Sequence, residues 1–215
     1  MDNWQEFIET IGKNRFKPNP QAKLFLEVER IDDLIKIAKE ARVHKIPVFI
    51  IGTGSHASIP QTQINGLIIK NNCHRFDVFG LKGKMQGERL GIEKVSVYAE
   101  SGTNINQLVR FTIEQGLGGL EYHLGMPGTI GGAIYTNARY TPKNIYINDA
   151  VEKIRILNKE GEILEVGGGG FSARDSNQFR EADTIILSAV FRMHPEDKKL
   201  LWERGNEAAA YRNAL

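Results

Sequence analysis

Two glycine-rich turns hold the residues of this sequence that are best suited to ligand binding. The first, Gly52-Thr53-Gly54-Ser55, directly follows the apolar run 47–51. The second is the stretch 125–133, Gly-Met-Pro-Gly-Thr-Ile-Gly-Gly-Ala. Because glycine lacks a Cβ, the backbone N–H groups of such turns can converge on an anion. Two of these turns in one chain predict a bulky ligand that carries a pyrophosphate.

Each turn also has a simpler interpretation. Taken alone, the first turn is equally typical of an ordinary tight turn. Ala57 stands where a dinucleotide fingerprint needs glycine, and no Gly-Lys-Ser/Thr follows, so neither a Rossmann motif nor a P-loop is indicated. In the second turn, a short helix starting near Thr129 would direct its positive end at a phosphate. The alternative is a turn packed against a neighbouring strand.

Other kinds of site find little support. The five histidines show no metal-ligand spacing, so no metal site is expected: His44, His56, His74, His123 and His194. Cys73 is the only cysteine, which excludes a disulfide within the chain and fits a reducing cytoplasm. We therefore expect a cytoplasmic protein.

The composition excludes further classes of partner. The net charge is +2, from 28 basic and 26 acidic residues, without the clustered basic face of a nucleic-acid-binding protein. The densest basic stretch, 82–89, is broken by glycines and is interpreted as a solvated loop. No apolar run approaches the ~18–20 residues of a membrane span. We expect no nucleic acid and no membrane as partners.

Hydrophobic periodicity divides the 215 residues into two parts of mixed α and β structure. The first part has the order helix, strand, helix, strand, strand, at 4–11, 22–28, 31–43, 47–51 and 66–70. The second has a strand, a helix capped by Asn104 or Asn106 and stopped by Gly116, a hairpin, a strand and a final helix. The last elements fall at 95–99, 151–157 with 162–166, 184–193 and 200–215. We predict lobes over 1–75 and 76–195, followed by a helix within 196–215.

Three motifs in the same order resemble those of the UDP-N-acetylenolpyruvoylglucosamine reductase family, also called UDP-N-acetylmuramate dehydrogenases. The stretch 125–138, Gly-Met-Pro-Gly-Thr-Ile-Gly-Gly-Ala-Ile-Tyr-Thr-Asn-Ala, is similar to the family signature, and Gly119-Leu120-Glu121-Tyr122 precedes it. Upstream, 47–55 resembles the family's first glycine turn. Downstream, 171–176, Phe-Ser-Ala-Arg-Asp-Ser, resembles its Phe-Gly-Tyr-Arg-Asp-Ser motif.

The resemblance implies a fold and a reaction. The expected fold is α+β, a two-lobed FAD-binding domain of the vanillyl-alcohol-oxidase (PCMH) type. The expected cofactors are FAD and NADPH, with hydride passing from NADPH to the flavin and then to the enolpyruvyl double bond of a UDP-sugar, in peptidoglycan synthesis. The flavin supplies the redox chemistry and the protein positions it. The small-molecule UDP-sugar is the expected partner, and the sequence leaves the oligomeric state open.

The resemblance also assigns site residues. Arg174 falls on the family's arginine, whose fixed guanidinium suits the stabilisation of enolate charge; the alternative is a surface arginine paired with Asp175. The expected FAD-binding residues are Gly52, Thr53, Gly54, Ser55, His56, Gly125, Met126, Pro127, Gly128, Thr129, Gly131, Gly132, Ala133 and Asn137.

Several positions depart from the family pattern. Ala173 replaces the tyrosine before the arginine, Thr53 and His56 replace the usual glycine and asparagine, and Arg139 replaces a glycine. The chain stops at Leu215, so we expect it to lack the family's substrate domain, with its proton-donating serine and assisting glutamate. Two alternatives therefore stay open: another FAD-dependent oxidase or dehydrogenase of the same superfamily, and a non-catalytic FAD-binding remnant.

Overall fold

The chain divides into two compact units, Met1–Cys73 and His74–Leu215. The computed structural model describes residues 3–55, 62–86, 89–167, 179 and 183–214.

The first unit is a small parallel sheet with helices. Its strands are β1 (Ala22–Val28), β2 (Val48–Ile51) and β3 (Ile64–Asn71), in the order β1-β3-β2, with both pairs parallel. Helices α1 (Asn3–Ile11) and α2 (Ile31–Val43) complete it. The buried side chains of α2 recur at helical spacing because one face packs on the core: Ile31, Leu34, Ile37, Ala38 and Ala41.

The second unit is built on an antiparallel sheet with the strand order β10-β9-β11-β5-β4 and β6 paired to β11. These strands are β4 (Phe76–Gln86), β5 (Arg89–Glu100), β6 (Leu117–Gly118), β9 (Val151–Leu157), β10 (Ile163–Gly167) and β11 (Ile185–Pro195). Two short strands, β7 (Arg139–Tyr140) and β8 (Ile145–Tyr146), pair separately.

Three helices accompany this sheet. They are α3 (Ile105–Glu114), α4 (Ile130–Tyr135) and α5 (Lys198–Asn213). Apolar side chains of the strands and of all three helices share one buried cluster, which includes Val97, Leu108, Ile130, Phe191 and Leu201. The second glycine turn begins in the connection after α3 and runs into the first residues of α4, and both helices belong to this core.

Most predicted elements are confirmed, with boundaries within a few residues. Asn104 is the residue that caps α3, because its side chain accepts a hydrogen bond from the N–H of Gln107, and Gly116 follows the helix with a φ of 68°. The solvated loop predicted over 82–89 is wrong. Residues 82–86 lie in β4 and residue 89 begins β5, and the two strands pair along their length. A Cβ at Gly83 would collide with the carbonyl of Gly91, so glycine here permits close strand pairing.

Candidate functional site

The first glycine turn leaves the carboxyl end of β2. In parallel sheets, ligands bind beyond this end of the strands. Thr53, Gly54 and Ser55 are exposed, and Gly54 has a φ of 79°. A Cβ built on Gly54 would meet no atom within 4 Å, so there is open space beside the backbone.

The same turn has hydrogen-bond donors to offer. Within the part of the chain that the structure describes, the N–H groups of Gly52, Thr53 and Gly54 have no hydrogen-bond partner. The hydroxyl of Thr53 donates to Ser55 Oγ at 3.3 Å. Free amides around open space are what a bound phosphate needs. His56, the next predicted cofactor residue, lies outside the described residues.

The second turn uses several of its amides internally. The N–H of Gly125 donates to Asn106 Oδ1 at 2.6 Å, and the N–H of Met126 donates to the His123 carbonyl at 3.2 Å. Pro127 has no N–H to give. Gly125 has a φ of 84°, a conformation that favours glycine.

The first turn of α4 is also internally satisfied. The N–H of Ile130 donates to the Thr103 carbonyl at 2.9 Å, and that of Gly131 donates to the Ser101 carbonyl at 2.7 Å. Thr129 caps the helix, and its Oγ1 accepts from the N–H of Gly132 at 3.4 Å. The predicted start of the helix at Thr129 is therefore confirmed. Its first three N–H groups are held by the protein, so the helix end is a poorer donor to a ligand than predicted.

Two adjacent amides of the second turn stay free. Across the described residues, nothing accepts a hydrogen bond from the N–H groups of Gly128 and Thr129. Gly128 has a φ of 118°, which only glycine adopts readily. Among the described residues of the second turn, the N–H groups of Gly128 and Thr129 are therefore the ones left to donate to a phosphate.

The remaining predicted residues of the second turn differ in their surroundings. Gly132 is exposed, and a Cβ built on it would have only Thr129 Oγ1 nearby, at 3.6 Å. There is therefore open space beside this residue of α4. Ala133 and Asn137 are buried, and Asn137 has a φ of 48°. Met126 packs against the apolar core. Gly132 is therefore the open position of this segment, and Ala133 and Asn137 lie on its buried side.

The last helix supports the second turn from behind. Arg212 donates to the carbonyl of Leu124 at 2.8 Å and to that of Tyr122 at 2.9 Å. A Cβ on Gly125 would come within 2.9 Å of Ala209 Cα, so α5 and the turn are in close contact. The sequence named Asn106 only as a possible helix cap and gave no role to Arg212, because the two are 19 and 88 residues away from the groups that they bind.

His123 lies fully buried just before the turn. Its Nε2 is 3.4 Å from the Ala138 carbonyl, which fits a neutral ring that donates there. Burial, reinforced by the positive charge of Arg212, lowers the pKa of His123 to about 4. The ring is therefore uncharged at neutral pH and acts as a packing and hydrogen-bonding group.

Other predicted features have the following outcomes. Arg174 and its motif lie outside the described residues. Over the described ranges, no group of three or more His, Cys, Asp and Glu side chains is placed to hold a metal ion. In the same ranges, no helix is both long and apolar enough to cross a membrane.

Comparison with known proteins identifies the family. The FAD binding domain family matches residues 22–167, a stretch that contains both glycine turns. The chain belongs to this family. Its α+β fold is thus the FAD-binding fold of the vanillyl-alcohol-oxidase (PCMH) type, and its cofactor is FAD.

Individual relatives agree with this family. The UDP-N-acetylenolpyruvoylglucosamine reductase of Rhodopirellula baltica is 30% identical over 85% of this chain and 55% of the relative. The enzyme of the same name from Listeria innocua is 26% identical over 92% of this chain and 62% of the relative. The crystal structure of UDP-N-acetylenolpyruvylglucosamine reductase from Thermus caldophilus is similar in fold, with a TM-score of 0.65 and 21% identity over 89% of this chain and 63% of that one. The chain spans a little over half the length of these relatives.

Each glycine turn of this FAD-binding protein, taken by itself, has groups that suit a phosphate. Each turn combines free backbone amides with a glycine whose side-chain direction is open. Neither turn contains a lysine or arginine. The donors that the turns themselves offer to an anion are therefore oriented N–H dipoles.

Proposed function

We propose that this chain is the FAD-binding part of an oxidoreductase that reduces UDP-N-acetylglucosamine enolpyruvate to UDP-N-acetylmuramate with NADPH, a step of peptidoglycan synthesis. The observation that carries the proposal is the FAD binding domain match over 22–167. Relatives named UDP-N-acetylenolpyruvoylglucosamine reductase that align with 85% or more of this chain support the choice of reaction.

FAD, when bound, supplies the hydride chemistry, and the protein holds it in place. We assign the free N–H groups of Gly52, Thr53 and Gly54, and those of Gly128 and Thr129, to its phosphates. We keep the other predicted cofactor residues in the proposed site without assigning their N–H groups to the phosphates: Ser55, His56, Gly125, Met126, Pro127, Gly131, Gly132, Ala133 and Asn137.

Arg174 is the proposed catalytic residue. Reduction of the enolpyruvyl double bond places negative charge next to the substrate carboxylate, and a guanidinium can stabilise that charge through two parallel N–H donors. The partner is then a UDP-sugar of low molecular weight. We place the reaction in the cytoplasm, where the single cysteine, buried Cys73, stays reduced.

An anaerobic absorption experiment tests this function. The chain is loaded with FAD, and NADPH is added without oxygen. We expect NADPH to bleach the flavin band, and UDP-N-acetylglucosamine enolpyruvate to restore it. UDP-N-acetylglucosamine, which lacks the enolpyruvyl group, is the control and should restore nothing.

Each result has a distinct meaning. Restoration by the enolpyruvyl nucleotide alone supports the proposed reaction. A bleached flavin that this nucleotide neither reoxidises nor shifts in its absorption spectrum contradicts the substrate assignment and favours another FAD-dependent dehydrogenase. A chain that binds FAD and is not bleached by NADPH contradicts the assigned reductant.

A further inference from the structure

Asn106 binds both sides of the backbone at the start of the second glycine turn. Its Oδ1 accepts from the N–H of Gly125 at 2.6 Å, and its Nδ2 donates to the carbonyl of Met126 at 2.8 Å. The side-chain amide of Asn106 thus gives the Gly125 N–H and the Met126 carbonyl the hydrogen bonds that the backbone of a neighbouring strand would otherwise provide. Because the two bonds involve consecutive residues, they fix the direction in which the chain enters the turn.

Asn106 belongs to a longer segment that holds the whole turn. Five hydrogen bonds join residues 125–131 to Ser101, Thr103, Ile105 and Asn106. Three of them join backbone to backbone: Ile105 N–H to the Gly128 carbonyl, Ile130 N–H to the Thr103 carbonyl, and Gly131 N–H to the Ser101 carbonyl. The two bonds of Asn106 are the ones that depend on the identity of a side chain.

This pattern decides which amides remain for a ligand. Bonds at Gly125 and Met126 hold one end of the turn, and bonds at Ile130 and Gly131 hold the other. Gly128 and Thr129 lie between the two ends, and their N–H groups have no partner among the described residues. Loss of the two Asn106 bonds would loosen the backbone of Gly125 and Met126, and the bond from the Ile105 N–H to the Gly128 carbonyl would be the next anchor along the turn.

We propose that Asn106 is a positioning residue for the cofactor site: it preorganises the Gly128 and Thr129 amides for the phosphates of FAD. The inference rests on the proposed function as an FAD-binding chain. A preorganised turn avoids the entropy cost of ordering these amides when the ligand binds. Asn106 itself need not touch the cofactor.

Asn104 gives a matched control on the same helix end. Its side chain accepts a hydrogen bond from the N–H of Gln107 at 3.2 Å and so caps α3. Replacing an N-cap asparagine by alanine costs about 1 kcal/mol of stability. That change should weaken the helix without removing either bond of Asn106.

The test compares FAD affinity with stability in Asn106→Leu, Asn106→Asp and Asn104→Ala. FAD is titrated by flavin fluorescence, and thermal unfolding is followed without FAD. We expect Asn106→Leu to raise the Kd for FAD about tenfold, which corresponds to the net contribution of about one hydrogen bond. Asn106→Asp should raise it further, because a carboxylate faces the Met126 carbonyl and repels the phosphates. Asn104→Ala should lower the unfolding temperature and leave the Kd within about twofold.

The outcomes separate this role from the proposed function. If wild type binds FAD while Asn106→Leu changes the Kd no more than Asn104→Ala, the positioning role is overturned and the proposed function is not. If wild type takes up no FAD, the proposed function fails and the role of Asn106 fails with it. Should Asn106→Leu unfold, Asn106→Ser, which keeps one acceptor, is measured instead, and an unchanged Kd in that variant overturns the role.

Discussion

Gly131 packs directly against Ser101. Its N–H donates to the Ser101 carbonyl at 2.7 Å, and a Cβ built on it would lie 2.9 Å from Ser101 Cβ and 3.0 Å from the Ser101 carbonyl oxygen. The next residue, Gly132, has only Thr129 Oγ1 nearby, at 3.6 Å. Two adjacent glycines of one motif therefore meet different requirements, the first set by packing and the second by open space.

We expect Gly131→Ala to destabilise the protein and Gly132→Ala to leave it folded as before. The added methyl at 131 overpacks a backbone contact, which costs about 1–3 kcal/mol. At 132 the helix gains a better helix former, so the free energy of unfolding should be unchanged or raised by up to about 1 kcal/mol. Urea denaturation of both variants measures this, and equal stability of the two would contradict the packing argument.

The buried histidine predicts a dependence of stability on acidity. His123 is neutral in the folded chain, with a pKa lowered to about 4 from its ordinary 6.5. The unfolded chain therefore binds a proton at a higher pH than the folded chain does. This contribution to stability is complete above about pH 6.5 and is lost as the pH falls to about 4; the shift corresponds to about 3 kcal/mol.

His123→Gln removes the titration while keeping a neutral polar side chain. We expect the free energy of unfolding of wild type to fall more steeply between pH 6.5 and 4 than that of the variant. The comparison is a difference between two proteins, so it cancels the carboxylates that both share, among them Glu27 and Glu152, whose pKa values are lowered by Lys17 and Lys94. Parallel curves for the two proteins would contradict a buried neutral His123.

Arg212 is expected to contribute more to stability than an exposed arginine. Its guanidinium donates to the carbonyls of Leu124 and Tyr122 and lies over the ring of Tyr140. Arg212→Met keeps the alkyl packing and removes the charged donors, so the free energy of unfolding should fall by about 2 kcal/mol. Arg30→Met is the control, because the side chain of Arg30 is 77% exposed and its ion pair with Asp32 is 3.8 Å long. Similar losses in the two variants would contradict the role of Arg212 in holding the turn.

The sequence predicted the regular elements well because local patterns determine them. The helical spacing of Leu34, Ala38 and Ala41 marks α2, and Asn104 and Gly116 mark the two ends of α3. Strand β4 was missed because its glycines and lysines show no alternation. Its pairing with β5 depends on a close approach at Gly83 and Gly91, which only the folded sheet reveals.

The sequence was enough to predict which residues form the second glycine turn, but not which hydrogen bonds their N–H groups make. Glycines and a proline in sequence indicated a ligand turn and a short helix at Thr129. Which amides remain free depends on partners in another segment, since Ser101, Thr103 and Asn106 take up those of Gly131, Ile130 and Gly125. The residues that support the turn from α5 are far away along the chain, so no local pattern could identify them.

An FAD titration of wild type and Gly132→Val tests the central claim most directly. The claim is that FAD is held by backbone amides in glycine turns that a side chain would obstruct. We expect wild type to bind FAD, with quenched or shifted flavin emission, and Gly132→Val to unfold at a similar temperature while taking up none. Equal FAD affinity in a folded Gly132→Val variant, or no binding by wild type, would contradict the account.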